Sequence, residues 1–166
     1  APFTIKGGTW PGTGGTCGST LTAGNTCNFV VRYSPTGLGA HTDQLVITYN
    51  NAVAGGQTTN RDVQGAGIAP ALITISDGVT YNFGTITNTL TADYTFTLTN
   101  SGAVSATAMS GGGLAAPFTY KGGSYPGTGG DCGATLAAAG TCFVVVTFSP
   151  TVAGLQSDSI DITYHN

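Results

Sequence analysis

The chain contains no glutamate, and only 7% of its 166 residues are charged. Its four cations, Lys6, Arg32, Arg61 and Lys121, are scattered along the sequence. Binding a phosphate backbone requires clustered lysine and arginine, which these four residues do not supply. Together with a formal net charge of -3, this argues against nucleic acid as a partner.

Long apolar runs and sustained helical periodicity are also missing from the sequence. No apolar segment approaches the roughly 20 residues that a transmembrane helix needs, so we expect no membrane span. Threonine, glycine, alanine and valine dominate, with glycine alone at 27 residues. Threonine and valine favour pleated, half-buried surfaces, and glycine favours turns, so the composition predicts an all-β fold.

One block of sequence occurs twice. Residues 1–51 match residues 116–166 without a gap and are identical at 30 of 51 positions. Similarity at a fixed period, here 115 residues, is typical of tandem modules. We expect residues 1–68 to be the C-terminal part of one module and residues 69–166 to be a second module that lacks its last strand. The repeat is therefore cut out of register, as in a window on a longer repetitive protein.

The four cysteines, Cys17, Cys27, Cys132 and Cys142, are spaced by the same ten-residue offset in each copy. One disulfide per copy is the favoured interpretation, and a loop this short stabilises the fold by roughly 2–3 kcal/mol in the chain-entropy model. Free thiols and a zinc site remain alternatives, although no CxxC pair exists. Disulfides predict an oxidising compartment, and hence an extracellular or cell-surface protein.

Comparing the copies predicts which side chains face inward. In the strand after the second cysteine, alternate positions are apolar in both copies: Phe29, Val31 and Tyr33, and Val144, Val146 and Phe148. Asn28 and Arg32 correspond to Phe143 and Thr147, which share no polarity, so these positions are expected to face outward. Other strands are predicted around Ile73–Ile75, at Tyr81 and Phe83, over 94–98, over about 103–109, and over 58–65. Seven short strands per module indicate an immunoglobulin-like β-sandwich.

Several turn and strand-edge motifs resemble a known family. They are Asn82-Phe83-Gly84, residues 97–102, Cys132…Cys142, Phe148-Ser149-Pro150-Thr151 and Gly65-Ala66-Gly67. These resemble the Hydin-like immunoglobulin repeats that bacterial surface proteins carry in choice-of-anchor arrays, which are related to the major sperm protein fold. The resemblance implies a non-enzymatic stalk, adhesin or interaction module that has no cofactor. The glycine-rich insertion at 7–15, repeated at 122–130, departs from that family.

Candidate catalytic and metal-binding groups are sparse, so we expect neither an enzyme nor a metal site. His41 aligns with Gln156, and His165 aligns with Asn50, so neither histidine is a repeated feature. The available carboxylate pairs are Asp77 with Asp93 and Asp158 with Asp161. An isopeptide cross-link at Lys6 or Lys121 is disfavoured, because both lysines are predicted to point outward.

The aromatic residues Trp10 and Tyr125 each precede Pro-Gly-Thr-Gly-Gly at equivalent places. They could form a stacking platform for sugar rings or a contact between modules. The favoured alternative is an aromatic lid packed over the disulfide and the proline. We expect the glycine-rich segment itself to be a flexible interstrand loop, because a phosphate cradle needs a helix N-terminus behind it.

The out-of-register repeat suggests how the chain associates with partners. Each part of a module would expose sheet edges that invite a strand from another chain. We therefore expect copies of the chain, or neighbouring repeats, to assemble by strand exchange into a fibre, stalk or surface layer. Two alternatives are that the missing strands lie in a longer parent chain, and that the loops at Trp10 and Tyr125 bind surface glycans or proteins.

Overall fold

The computed structural model describes residues 1–53 and 55–166. The chain divides into two compact units, which we call unit 1 (Ala1–Ile68) and unit 2 (Ala69–Asn166). In the part of the chain that is described, every regular element is a β-strand, and all the pairings are antiparallel. The prediction of an all-β fold is confirmed.

Unit 1 contains two pairs of strands. Their bounds are β1 Phe3–Ile5, β2 Val31–Tyr33, β3 Gly39–Tyr49 and β4 Gln57–Gly67. β1 pairs with β2, and β3 pairs with β4 along its whole length, from Gly39 opposite Gly67 to Tyr49 opposite Gln57.

Unit 2 contains a four-stranded sheet and a separate two-stranded sheet. The strands are β5 Ile73–Ile75, β6 Ala92–Asn100, β7 Thr107–Gly112, β8 Phe118–Tyr120, β9 Thr141–Phe148 and β10 Asp161–His165. The order in the larger sheet is β5-β6-β9-β8, and β10 pairs with β7.

The core of unit 2 lies on one face of the central strands β6 and β9. Leu98 and Val144 are fully buried, and Val146 is nearly so. Phe148 is also buried, while Phe143 is exposed, as the predicted alternation requires. Val145 departs from the alternation and is buried too, because loop residues 127–129 lie against it. In unit 1 the corresponding side chains are only half-buried.

Two predicted strands differ from the structure. Residues around Tyr81 and Phe83 form no strand, because the Asn82 side chain accepts a hydrogen bond from the Gly84 N–H, and Gly84 has a positive φ of 77°. Both rings nevertheless pack against the core, and Tyr81 stacks on Tyr94 with ring centroids 3.7 Å apart.

The strand expected over about 103–109 instead spans Thr107–Gly112. The start is delayed because the Asn100 side chain bonds the Gly102 N–H and the Val104 carbonyl, which holds this segment in a turn. Gly111 and Gly112 lie within the strand. Of the three consecutive glycines 111–113, only Gly113 has a positive φ.

Candidate functional site: the glycine-rich aromatic loops

The segments 6–15 and 121–130, called loop 1 and loop 2, have the same backbone structure. Four hydrogen bonds close each loop. In loop 1 the N–H groups of Gly8, Gly12, Thr13 and Gly15 donate to the carbonyls of Ile5, Thr9, Lys6 and Gly12. In loop 2 those of Gly123, Gly127, Thr128 and Gly130 donate to Tyr120, Ser124, Lys121 and Gly127. Each loop also contains one cis peptide bond, at Trp10–Pro11 or Tyr125–Pro126. The repeated sequence thus specifies a repeated loop conformation.

Each loop is also bonded to the edge of a neighbouring strand segment. In loop 2 the Lys121 N–H donates to the Val145 carbonyl at 2.9 Å, and the Val145 N–H donates to Pro126 at 2.8 Å. Loop 1 makes the same two bonds with Val30. The sequence predicted a flexible interstrand loop. In the structure, each loop is instead held by hydrogen bonds to itself and to a neighbouring strand segment.

One glycine in each loop is required by this close approach. Gly12 has a φ of 92°, and a Cβ there would lie 2.5 Å from the Val30 carbonyl oxygen. Its counterpart Gly127 has a φ of 91° and would place a Cβ against the Val145 carbonyl oxygen. Only glycine accepts a positive φ and backbone contact together without strain.

Tyr125 is a packed side chain and does not form an open platform. Its ring meets Tyr120 edge to face at 5.6 Å and lies against Gly111 of β7, where an added Cβ would collide with the ring. The Tyr125 hydroxyl is buried and has no hydrogen-bond partner among the described residues. Burial raises the pKa of Tyr125 above its usual range and raises that of Tyr120 to about 12, with smaller contributions from Tyr125 and Asp161.

Trp10 has a different environment from its repeat partner. Its side chain is 47% exposed and stacks on Phe29, with ring centroids 5.3 Å apart and an interplanar angle of 25°. The two predicted binding residues are therefore unequal. Tyr125 acts as a lid over Tyr120 and Gly111, whereas Trp10 leaves about half of its surface accessible.

Both cysteine pairs are disulfide-bonded. Cys17 bonds to Cys27 with a Cα–Cα distance of 4.8 Å, and Cys132 bonds to Cys142 at 4.9 Å. Within the described residues, one group has donor atoms close enough for a metal ion, namely Asp131 with Cys132 and Cys142. The sulfur atoms of Cys132 and Cys142 are bonded to each other in the disulfide. The Asp131 carboxylate accepts a hydrogen bond from the Phe143 N–H at 2.6 Å.

Lys121 forms an ion pair with Asp93 of β6, with 2.8 Å between Nζ and Oδ2. The Thr147 hydroxyl donates to the other carboxylate oxygen at 2.6 Å. Hydrogen bonds from Lys121 and Thr147 hold the pKa of Asp93 below its usual range. An isopeptide bond requires a neutral acid in an apolar pocket, whereas this carboxylate is ionised and 39% exposed.

The other candidate catalytic groups make local contacts. His41 Nδ1 bonds the Tyr33 hydroxyl at 2.9 Å. Asp158 accepts the Ala115 N–H at 2.6 Å, and Asp77 accepts the Ser76 hydroxyl. Each of these side chains thus has a partner within its own unit.

The structural role of Asn100 was not predicted from the sequence. It was expected only to mark a turn, yet it is fully buried. Its side-chain N–H groups donate to the carbonyls of Val104, Leu136 and Ala137 at 2.9, 3.1 and 3.2 Å. Its carbonyl oxygen accepts the N–H groups of Leu72 and Gly102 at 3.1 and 3.0 Å. Asn100 is therefore a polar hub that links three segments of unit 2.

Comparison with family models and with curated proteins finds no match for this chain. No helix of sufficient length and apolarity to cross a membrane occurs among the described residues.

Proposed function

We propose that this chain is a non-enzymatic structural segment of an extracellular bacterial fibre, stalk or surface protein, built from immunoglobulin-like sandwich repeats and assembled by strand exchange between chains. The observation that carries the proposal is that one repeated block has two different strand partners. In unit 2 its last strand, β10, pairs with β7. In unit 1 the copy of that strand lies within β3, which pairs with β4.

The open strand edges of unit 1 support this proposal. Among the described residues, β9 of unit 2 lies between β6 and β8, whereas its shorter copy β2 is paired with β1 alone. In unit 2 the β6 edge of β9 is covered from Ala92 to Thr99. An uncovered strand edge with half-buried apolar side chains is a template for a strand from another molecule.

The compartment is proposed from the two disulfides and the composition. Structural disulfides persist in oxidising environments, and each of these closes a short turn-rich loop at equivalent positions. A surface with few charges must remain hydrated through hydroxyl and amide groups. Both features fit an extracellular or cell-surface protein.

The experiment is light scattering across a dilution series of the full chain. We expect species well above 16.5 kDa whose mass falls on dilution. Val31→Lys places a charge on the inward face of the open strand β2 and is expected to reduce the mass, whereas the matched control Arg32→Lys on the outward face is expected to leave it unchanged. A monomer at every concentration would overturn self-assembly.

A second candidate function is recognition of surface glycans or proteins, and the exposure of Trp10 favours it. A half-exposed ring already stacked on Phe29 offers a flat face on which a sugar ring can pack. The test is retention of the chain on a glycan array. Trp10→Ala should abolish retention if this function holds, while Trp10→Phe should preserve it in part. Equal retention by all three proteins would contradict the role of Trp10.

A further inference from the structure

Two tyrosines of unit 2 stack face to face although they come from different segments. Tyr81 lies in the irregular segment that precedes β6, and Tyr94 lies within β6. Their ring centroids are 3.7 Å apart, and their ring planes are inclined by 21°. At this separation the carbon atoms of each ring are in van der Waals contact with the other ring. The fold therefore brings two oxidisable phenols to a distance from which a bond between them can form.

Neighbouring phenylalanine rings hold both tyrosines in this arrangement. Phe96 meets the Tyr81 ring edge to face at 5.4 Å and the Tyr94 ring at 4.9 Å. Phe83 meets the Tyr81 ring at 5.1 Å. Edge-to-face contacts restrict the orientation of a ring beyond the effect of the apolar area that they bury. The stacked pair is therefore pre-organised by the core of unit 2, against which both tyrosines pack.

A carboxylate lies beside the Tyr94 hydroxyl. Burial raises the pKa of Tyr94 above its usual range, and a hydrogen bond with Asp77 and the negative charge of Asp77 raise it further. Asp77 lies in an exposed turn with Gly78, where both residues have a positive φ, of 68° and 77°. A protonated phenol loses an electron more readily when a nearby base accepts its proton in the same step. Asp77 is positioned to be that base.

We propose that Tyr81 and Tyr94 form a site of oxidative modification, at which a one-electron oxidant of the peroxidase class joins the two rings as dityrosine. Each phenol loses one electron and one proton, and one molecule of hydrogen peroxide takes up both electrons and both protons to give two molecules of water. The two phenoxyl radicals then form one bond between a Cε atom of each ring. The hydrogen on each of these carbons leaves as a proton, and each phenol oxygen regains one. The product therefore has two hydrogen atoms fewer than the two tyrosines.

The cross-link would attach the segment between β5 and β6 to the sheet. Residues 76–91 contain no strand, and Val79 within them is fully exposed. A bond between residues 81 and 94 closes a short loop and removes conformational freedom from the unfolded chain, as a disulfide does. The two disulfides of the chain lie in other segments. Dityrosine would therefore be a third covalent staple.

A second pair of tyrosines in unit 2 provides a comparison within the same molecule. Tyr120 and Tyr125 meet edge to face, with ring centroids 5.6 Å apart and planes inclined by 89°. The Tyr125 hydroxyl is buried and has no hydrogen-bond partner among the described residues, so no neighbouring base takes its proton. Coupling requires the reacting atoms to be close and aligned, which perpendicular rings do not provide. We therefore expect dityrosine at the first pair and none at the second.

The test is oxidation of the full chain by a haem peroxidase with hydrogen peroxide in dilute solution. We expect the blue fluorescence of dityrosine and a monomer that is lighter by two hydrogen atoms. Cleavage before aspartate separates residues 77–92, which contain Tyr81, from residues 93–130, which contain Tyr94. Mass spectrometry should find these two peptides joined. In an equimolar mixture of isotopically labelled and unlabelled chains, the joined peptides should come from the same molecule.

Substitutions identify the reacting residues. Tyr81→Phe and Tyr94→Phe keep both rings but remove one phenol each, so each should abolish the joined peptides. Tyr49→Phe is the matched control, at a tyrosine that is 49% exposed, and should leave them unchanged. Asp77→Asn keeps the size of the side chain and tolerates the positive φ, but it removes the base. It is expected to slow the formation of dityrosine by about tenfold or more.

Three results would overturn the inference: no joined peptides from the wild type, joined peptides that persist in Tyr81→Phe, or joined peptides from two different molecules. Equal rates for the wild type and Asp77→Asn would overturn the role of Asp77. The inference is independent of the proposed function, because this cross-link forms within one molecule and requires no assembly.

Discussion

Gly65 on β4 lies directly against the ring of Tyr33 on β2, close enough that any side chain at Gly65 would overlap the ring. The contact joins the two strand pairs of unit 1. Tyr33 is fixed on both sides, because its ring also packs on Phe3 at 4.6 Å and its hydroxyl bonds His41. The absence of a side chain at Gly65 is thus what allows β4 to cover β2.

Substitution of Gly65 by valine is expected to destabilise unit 1 by about 1–3 kcal/mol, the usual cost of forcing extra volume into a packed contact. The measurement is urea unfolding followed by the fluorescence of Trp10, the single tryptophan of the chain. Gly18→Val is the control, because a Cβ at Gly18 meets no other atom within 4 Å. Equal unfolding midpoints would contradict the steric argument.

Asn100→Ala is expected to destabilise unit 2 by about 3 kcal/mol or more. The change removes the side-chain partner of the Leu72 and Gly102 N–H groups and of the Val104 carbonyl, and each unpaired group costs roughly 1–3 kcal/mol when it is shielded from water. The carbonyls of Leu136 and Ala137 keep their backbone donors. Asn88→Ala, at an exposed asparagine, should change the free energy of unfolding by less than about 0.5 kcal/mol. Chemical unfolding followed by near-UV tyrosine circular dichroism reports on unit 2.

The buried hydroxyl of Tyr125 should contribute nothing to the free energy of unfolding. Because this buried group lacks a hydrogen-bond partner, Tyr125→Phe should keep or raise stability, by up to about 1 kcal/mol. Tyr125→Ala should lower it by about 3–5 kcal/mol, since the ring fills the space between Tyr120 and Gly111. Thermal unfolding of the three proteins measures both effects, and a loss of stability in Tyr125→Phe would show that the hydroxyl is bonded.

The ion pair of Asp93 with Lys121 should give a small dependence of stability on acid pH. The folded-state pKa of Asp93 is lowered from 3.8, so its contribution is fully present above that pH and is lost as the pH falls below it. Both side chains are substantially exposed, so the contribution is under about 1 kcal/mol and is reduced by salt. Asp93→Asn should flatten the difference in unfolding free energy between pH 5 and pH 2. The same change in unfolding free energy between pH 5 and pH 2 in wild type and variant would contradict a contribution from Asp93.

The sequence alone determined the all-β fold and the inward face of β9. These follow from local chemistry: β-branched and aromatic residues alternate with a period of two, and comparison of the two copies at Val144 and Phe148 separates core positions from surface positions. The pairing of Cys132 with Cys142 was favoured from their spacing, and the structure contains that bond.

Only the tertiary structure decided what the repeated residues do. Trp10 and Tyr125 occupy the same place in loops of the same backbone structure, yet one is half-exposed and the other packs against Gly111 of β7. Asn100 became a hub because carbonyls 36 and 37 residues away converge on its side chain. Residues 154–160 and their copy in β3 differ because strand structure depends on a partner for backbone hydrogen bonds, and that partner is remote in sequence.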